Sequence, residues 1–99
     1  MGIDVRLENE NAEPIGEPIN DPANHFANAV ANTSGSCLGF VDPYGNTVFN
    51  QLQLPVLIRE LESLDDGLSS AAAAHVSKVI TLLPGGLDSP HVYARFIGD

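Results

Sequence analysis

The sequence predicts one α+β domain over residues 1–99: an antiparallel sheet of four or five strands, with two consecutive helices packed mainly on one face. The first observation behind this prediction is a β-type pattern at both ends of the chain and in its centre. The second is helical spacing of apolar residues over 55–64 and 70–83. The chain has 99 residues, of which 43% are hydrophobic and 17% charged, so it can build one core.

The outer parts of the chain supply the first, second and last predicted strands. Residues 3–8 alternate apolar and charged side chains, which is typical of a strand with one face in water. A short edge strand over residues 15–19 is expected to pair back on it, although prolines limit its hydrogen bonding. Residues 91–97 form the last strand. The residues expected to share one of its faces are Val92, Ala94 and Phe96.

The centre of the chain predicts a hairpin. Residues 38–41 are an apolar run of strand-forming residues, and residues 42–46 then provide a proline, a glycine, Asp42 and Asn46, which favour a turn. Residues 47–49 return to a β-type composition. We therefore expect two paired strands, over residues 37–42 and 47–50.

Three helices are predicted between these strands. A short one near residues 21–31 begins with Asp21 as the N-cap and Pro22 in the first turn. The second begins near Pro55 and runs to about residue 64. The third is capped by Ser69 and Ser70 and ends before the Pro-Gly-Gly sequence at residues 84–86.

The net charge is the most informative feature of the composition. Thirteen acidic residues against four Lys or Arg give a net charge of −9, which argues against nucleic acid and anionic membranes as partners. A basic protein is the expected partner. Six of the acids lie in residues 1–21, and a second acidic cluster lies late in the second helix and just after it. Its members are Glu60, Glu62, Asp65 and Asp66.

The sequence also predicts a cytoplasmic protein. The first residues lack the basic and apolar regions of a secretory signal, and no apolar run has the length of a membrane span. A single cysteine, Cys37, cannot form an intramolecular disulfide, and its apolar neighbours indicate a small buried residue.

No pattern in the sequence indicates catalysis, a metal or a cofactor. His25, His75 and His91 lie on three separate predicted elements, without the short spacing that places two ligands on one face. No glycine-rich phosphate loop or nucleophile motif occurs. The acidic residues mostly lie in polar segments, whereas an acid–base pair needs one carboxyl in an apolar pocket. We therefore expect no cofactor and favour a protein that is not an enzyme.

Polar residues around the predicted hairpin are the candidate binding residues, because loops on a rigid scaffold concentrate binding side chains. Turn chemistry accounts for Asp42 and Asn46, but less well for an aromatic residue at a turn tip and for amides that precede a helix. The candidates in this segment are Asp42, Tyr44, Asn46, Asn50 and Gln51.

The central segment FVDPYGNTVFNQLQ and the final YARFIGD resemble those of short uncharacterised bacterial proteins, in which a strand, a DPYG turn, a helix and a similar ending recur. The likeness covers about a third of the chain. It implies a bacterial cytoplasmic origin and carries over no activity and no functional residues.

Three hypotheses about function follow. The preferred one is a non-enzymatic interaction module, of the immunity or inhibitor type, whose acidic surface binds a basic protein. The second is a small enzyme or ligand-binding protein with a pocket near residues 42–53. The third is a self-associating subunit that covers an exposed strand or helix face with a copy of itself.

Overall fold

The structure is a computed structural model that describes residues 2–31, 33–65 and 67–98. The strands are β1 (Ile3–Asn9), β2 (Pro14–Ile19), β3 (Asn46–Phe49) and β4 (Val92–Gly98). The helices are α1 (His25–Val30), α2 (Leu54–Glu62) and α3 (Ser70–Leu82). Short 3-10 helices lie at Leu38–Phe40, Ser63–Asp65 and Leu83–Gly86. The predicted α+β fold is confirmed.

The four strands form one antiparallel sheet in the order β2-β1-β4-β3. The two ends of the chain form its centre, because β1 pairs with β4 along its whole length and Val5 lies opposite Phe96. On the far side of β4, Phe49 of β3 lies opposite Ala94. The predicted pairing of β2 with β1 is also present, with a bulge between Val5 and Leu7.

One face of the sheet carries the core. Val5 and Phe96 are completely buried there, together with Leu57 of α2 and Val79 of α3. The ring of Phe96 lies 5.4 Å from that of Phe49 in an edge-to-face arrangement, which is favourable for aromatic pairs. The strand face that Val92, Ala94 and Phe96 were predicted to share is the core face, where Ala94 and Phe96 are both fully buried. No helix in the described part of the chain combines the length and apolarity needed to cross a bilayer.

The opposite face of the sheet holds an ion cluster around one buried carboxylate. Glu8 is only 2% exposed, and the guanidinium of Arg95 donates to both of its carboxylate oxygens at 2.8–2.9 Å. Arg6 completes the cluster at 3.2 Å. The Arg95 hydrogen bonds are the main reason why the pKa of Glu8 lies below its usual value. The expectation that the acids lie in wet surroundings is therefore wrong at Glu8.

The predicted hairpin over residues 37–50 is wrong in its first half. Leu38–Phe40 is a 3-10 helix rather than a strand, and β3 pairs with β4 instead. The cause is the carboxylate of Glu60, which accepts hydrogen bonds from the backbone N–H groups of Ser36, Cys37 and Leu38. These three donors are thereby held by α2, so they are not available to a strand ladder.

Helix α1 begins later than predicted. Its first residue is His25, and Asp21 is not its N-cap residue. Instead, the side chain of Asp21 reaches forward to accept hydrogen bonds from the N–H groups of Phe26 and Ala27, at 3.0 and 2.9 Å. The same carboxylate accepts from Ile3 at 3.0 Å, which joins the start of β1 to the start of α1. Asp21 is 2% exposed, so it is the second acidic residue that the fold buries.

The start of α3 is as predicted. The side chain of Ser69 accepts a hydrogen bond from the N–H of Ala72 at 3.1 Å, which is standard N-cap geometry. Pro55 lies in the first turn of α2, also as expected.

Candidate functional site

The turn that contains Asp42, Tyr44 and Asn46 is exposed and is held by hydrogen bonds between its own side chains and backbone. Asp42 accepts a hydrogen bond from the N–H of Tyr44 at 2.9 Å, which is an Asx turn. Tyr44 is 71% exposed at the tip. The side chains of Asp42 and Tyr44 do not converge with those of Asn50 and Gln51, because this turn lies at one end of β3 and residues 50–53 lie at the other.

Asn50 and Gln51 begin the loop between β3 and α2. Asn50 accepts a hydrogen bond from the N–H of Gln53 at 3.1 Å, and the side chain of Gln53 accepts from the N–H of Asn50 at 2.9 Å. This reciprocal pair resembles a capping box and fixes the loop. As a consequence, Leu52 is held at the tip of the loop with 83% of its surface exposed.

Three loops meet at this end of the sheet: residues 10–13 after β1, residues 50–53 after β3, and residues 87–91 before β4. The side-chain amide of Gln51 donates to the carbonyl of Leu87 at 2.7 Å. The ring of His91 lies 3.0 Å from the carboxylate of Glu10. We call this region the loop-end surface. Its residues are Glu10, Glu13, Asn50, Gln51, Leu52, Leu87, Asp88, Pro90 and Tyr93.

The centre of the loop-end surface is a shallow apolar depression of about 320 Å³. Two amides, from Asn50 and Gln51, line one part of it, and Leu52, Pro90 and Tyr93 line the rest. None of these five is a carboxylate. Two hydrocarbon side chains and an aromatic ring beside two amides make a surface suited to another macromolecule rather than to acid–base catalysis.

Exposed carboxylates lie on the loops at this end of the sheet. Glu10, Glu13 and Asp88 are all exposed, and they come from two different loops. Glu10 faces His91, and Glu13 accepts a hydrogen bond from the side chain of Asn9 at 3.0 Å. The loop-end surface therefore combines an apolar depression with exposed carboxylates on the neighbouring loops.

Sequence reasoning found Asn50 and Gln51 but missed the apolar members of this surface. Leu52 had a usable signal, because it is a large apolar residue between two polar ones that precede a helix. Tyr93 and Pro90 had none, since they are about 40 residues away from Leu52 along the chain. They reach Leu52 only because β4 lies beside β3 in the sheet.

Of the predicted acidic cluster on α2, the structure describes the side chains of Glu60 and Glu62. The carboxylate of Glu60 is taken up by three backbone N–H groups; although burial opposes this, these hydrogen bonds together hold the pKa of Glu60 below its usual value. Glu62 is exposed. Asp66 and the side chain of Asp65 lie outside the described part of the chain.

A second depression, of about 420 Å³, lies between the end of β2, α1 and α3. It brings together His25, His75 and Lys78, which the sequence placed on separate elements. The Nε2 atom of His75 is buried and has no hydrogen-bond partner among the described atoms, and its ring lies 5.8 Å from that of Phe26. His75 is thus a packed residue beside a cavity.

The described residues were expected to hold neither a metal ion nor a reactive thiol, and two features bear on this. Within residues 2–31, 33–65 and 67–98, no three His, Cys, Asp or Glu side chains are grouped so as to hold a metal ion. Cys37 is 3% exposed, and burial raises its pKa, so the group is a neutral thiol rather than a nucleophilic thiolate.

The buried ionisable groups predict a protein that loses stability in acid. Burial lowers the pKa of His75, which is faced by Asp21, Lys78 and His25, so the folded state resists its protonation. The free energy of unfolding should begin to fall as the pH drops below about 6.5, where the unfolded histidine takes up a proton. Carboxylates with lowered pKa should add a second loss below about pH 4.

Urea unfolding at a series of pH values measures these two stages. The variant His75→Gln should lose the upper stage and keep the lower one. A wild-type unfolding free energy that stays constant from neutral pH to about pH 5 would show that protonation of His75 is not resisted by the fold.

Comparison with family models, with curated proteins and with solved structures finds no match for this chain, so its site is interpreted from its own chemistry.

Proposed function

We propose that the protein is a non-enzymatic interaction module that binds a basic protein through the loop-end surface. The observation that carries this proposal is Leu52, a large apolar side chain that is 83% exposed on a loop fixed by hydrogen bonds. An exposed apolar residue on a rigid loop, next to an aromatic ring, resembles the central anchors of protein interfaces.

The charge distribution supports a basic partner. The chain carries a net charge of −9, and the exposed carboxylates Glu10, Glu13 and Asp88 lie on loops at the same end of the sheet as the apolar depression. Opposite charge at the rim of an interface accelerates association, while the apolar centre provides most of the affinity. The concrete form of the proposal is an inhibitor or immunity protein that blocks a cationic enzyme.

Three acidic residues are engaged within the fold and differ in this from the exposed ones. Glu8, Asp21 and Glu60 are each engaged by arginines or by backbone N–H groups, so they stabilise the fold and do not attract a partner directly. The charges available for binding are the exposed ones. One group of acidic residues therefore stabilises the fold, and the exposed group is the one that would bind the partner.

The alternative of a small enzyme with a pocket near residues 42–53 has weaker support. A depression does exist beside residues 50–52, but the described residues that line it contain no acid and no histidine. Amides, a leucine, a proline and a tyrosine can contact a ligand, but they do not form an acid–base pair.

Site-specific photo-crosslinking tests the proposal. A photoreactive amino acid replaces Leu52 in the protein expressed in its native cells, and the matched control replaces Ala74, which is exposed on α3. We expect position 52 to crosslink a protein rich in Lys and Arg, and position 74 to give none of it. Equal crosslinking from both positions, or a partner without excess positive charge, would refute the proposal.

A further inference from the structure

Strand β3 is an edge strand whose outer side is unpaired in the described chain. It follows β4 at the end of the sheet, and Gly45, just before it, accepts a hydrogen bond from the N–H of Gly98 at 2.7 Å. Because antiparallel strands alternate, residues 45, 47 and 49 direct their backbone groups to β4. Asn46 and Val48 therefore direct theirs away from the sheet, and no hydrogen bond to another described residue satisfies them.

The two edges of the sheet differ in how well they are protected. The edge strand β2 contains Pro14, Pro18 and Glu17, and the bulge beside it includes Gly16 with a φ of +72°. Prolines, charges and bulges are the usual means of preventing an edge from pairing with another chain. Strand β3 has the sequence NTVF, which contains none of them. One edge is closed to pairing and the other is open.

Large apolar side chains border the open edge. Phe40 is 74% exposed, and its carbonyl lies 3.5 Å from the Thr47 hydroxyl, so residue 40 lies close to β3. Tyr44 is 71% exposed before the strand, and Val48 is 42% exposed on it. Leu52 follows on the loop-end surface. Among the described residues, four of the six exposed large hydrophobic side chains thus lie within residues 40–52.

We infer that the β3 edge receives an extended segment of the basic partner, which adds to the sheet as a fifth strand. Backbone hydrogen bonds to Asn46 and Val48 would hold this segment, and side chains of the segment would contact Phe40 and Val48. The edge leads directly into the loop-end surface through residues 50–53, so one partner reaches both. This inference rests on the proposed function and specifies its binding mode.

Charge decides between the two candidate occupants of this edge. A second copy of the chain would bring another net charge of −9 against the first, with Asp42 at one end of the strand and Asp88 at the other end of the sheet. A segment carrying Lys or Arg meets the same carboxylates with favourable sign. Residues 38–58 contain a single charged residue, Asp42. Arg95 lies opposite Val48 on β4, and its guanidinium is paired with the carboxylate of Glu8.

A short peptide of alternating lysine and threonine is the probe, and its matched control alternates glutamate and threonine. Both have the β-forming threonine, and they differ only in the sign of their charge. We expect the lysine peptide to shift the amide signals of residues 46–49 in a nuclear magnetic resonance titration. It should also slow hydrogen exchange at Asn46 and Val48 by about tenfold at saturation.

Two variants test the backbone contact. Val48→Pro removes the outward N–H without removing a bond to β4, as prolines do on edge strands, and it should weaken peptide binding at least about tenfold. Val48→Thr keeps that N–H and the branched side chain, so it should bind as the wild type does. If Val48→Pro fails to fold, the amide signals of the wild-type protein that shift on addition of the lysine peptide show whether the peptide binds at β3.

The possible results separate this inference from the proposed function. If the lysine peptide shifts only residues 10–13, 50–53 and 87–91, the edge inference is wrong and the proposed function stands. If both peptides bind at β3 equally, the edge stands and the charge argument is wrong. Failure of the lysine peptide to bind, or a wild-type dimer that Val48→Pro converts to a monomer, overturns the inference.

Discussion

Replacing Asp21 by alanine is expected to cause the largest loss of stability of any acidic residue. The carboxylate accepts hydrogen bonds from the N–H groups of Ile3, Phe26 and Ala27, and only 2% of the residue is exposed. Each buried donor left without an acceptor costs about 1–3 kcal/mol, so the loss should be at least about 3 kcal/mol. That is a large part of the roughly 5–15 kcal/mol that stabilises a typical domain.

Urea or thermal unfolding of purified variants measures this loss. Asp21→Asn keeps the size of the side chain and one acceptor oxygen, so it should lie between the wild type and Asp21→Ala. Glu17→Ala, which removes an exposed carboxylate from β2, should change stability by less than about 0.5 kcal/mol. Equal unfolding midpoints for Asp21→Ala and Glu17→Ala would contradict the structural role of Asp21.

Replacing Leu52 by serine is expected to have the largest effect on partner binding. The side chain is 83% exposed in the free protein and lies beside Tyr93 at the centre of the loop-end surface. Truncation of a central interface anchor commonly costs about 2 kcal/mol or more, which corresponds to a loss of affinity of about thirtyfold or more. Stability should stay within about 0.5 kcal/mol of wild type, because the leucine is exposed.

The partner identified by crosslinking is purified in its free form, and isothermal titration calorimetry then measures its affinity for the wild type and for each variant. Leu52→Met keeps an apolar side chain of similar volume, so it should retain most of the affinity. If Leu52→Ser binds the partner with unchanged affinity, Leu52 is not part of the interface. A parallel loss of folding in Leu52→Ser would show that the loop supports the core instead.

The sequence predicted the elements whose signals are local. Alternation over residues 3–8, the Ser69 cap and the apolar face of α2 all depend on neighbours a few residues away, and the structure contains each of them. Local periodicity was sufficient there because the burial of one face determines the pattern.

The parts that were missed depend on contacts between distant residues. The apolar run at residues 38–41 has strand-forming composition, but Glu60, more than 20 residues later, collects the N–H groups of residues 36–38. The late start of α1 has the same kind of cause, because Asp21 bonds to Ile3 as well as to Phe26. Neither contact leaves a periodic signal in the sequence.

The candidate site was partly predicted for the same reason. Asn50 and Gln51 were found because amides before a helix are a local signal, whereas Tyr93 and Asp88 join them only through the strand order β2-β1-β4-β3. The carboxylate of Glu60 was assigned to the surface because its backbone partners could not be seen from spacing. Topology, rather than composition, decides which polar residues meet.

The salt dependence of association tests most directly whether the exposed loop-end carboxylates, and not the total charge, attract the partner. The variant Glu13→Gln/Asp88→Asn and the control Glu17→Gln/Glu62→Gln each remove two negative charges from the net −9. Stopped-flow association with the crosslinked partner should slow at least about tenfold from low to high salt for the wild type and the control. The loop-end variant should associate more slowly at low salt and respond less to salt, whereas identical behaviour of the two variants, or a wild-type rate insensitive to salt, would contradict the account.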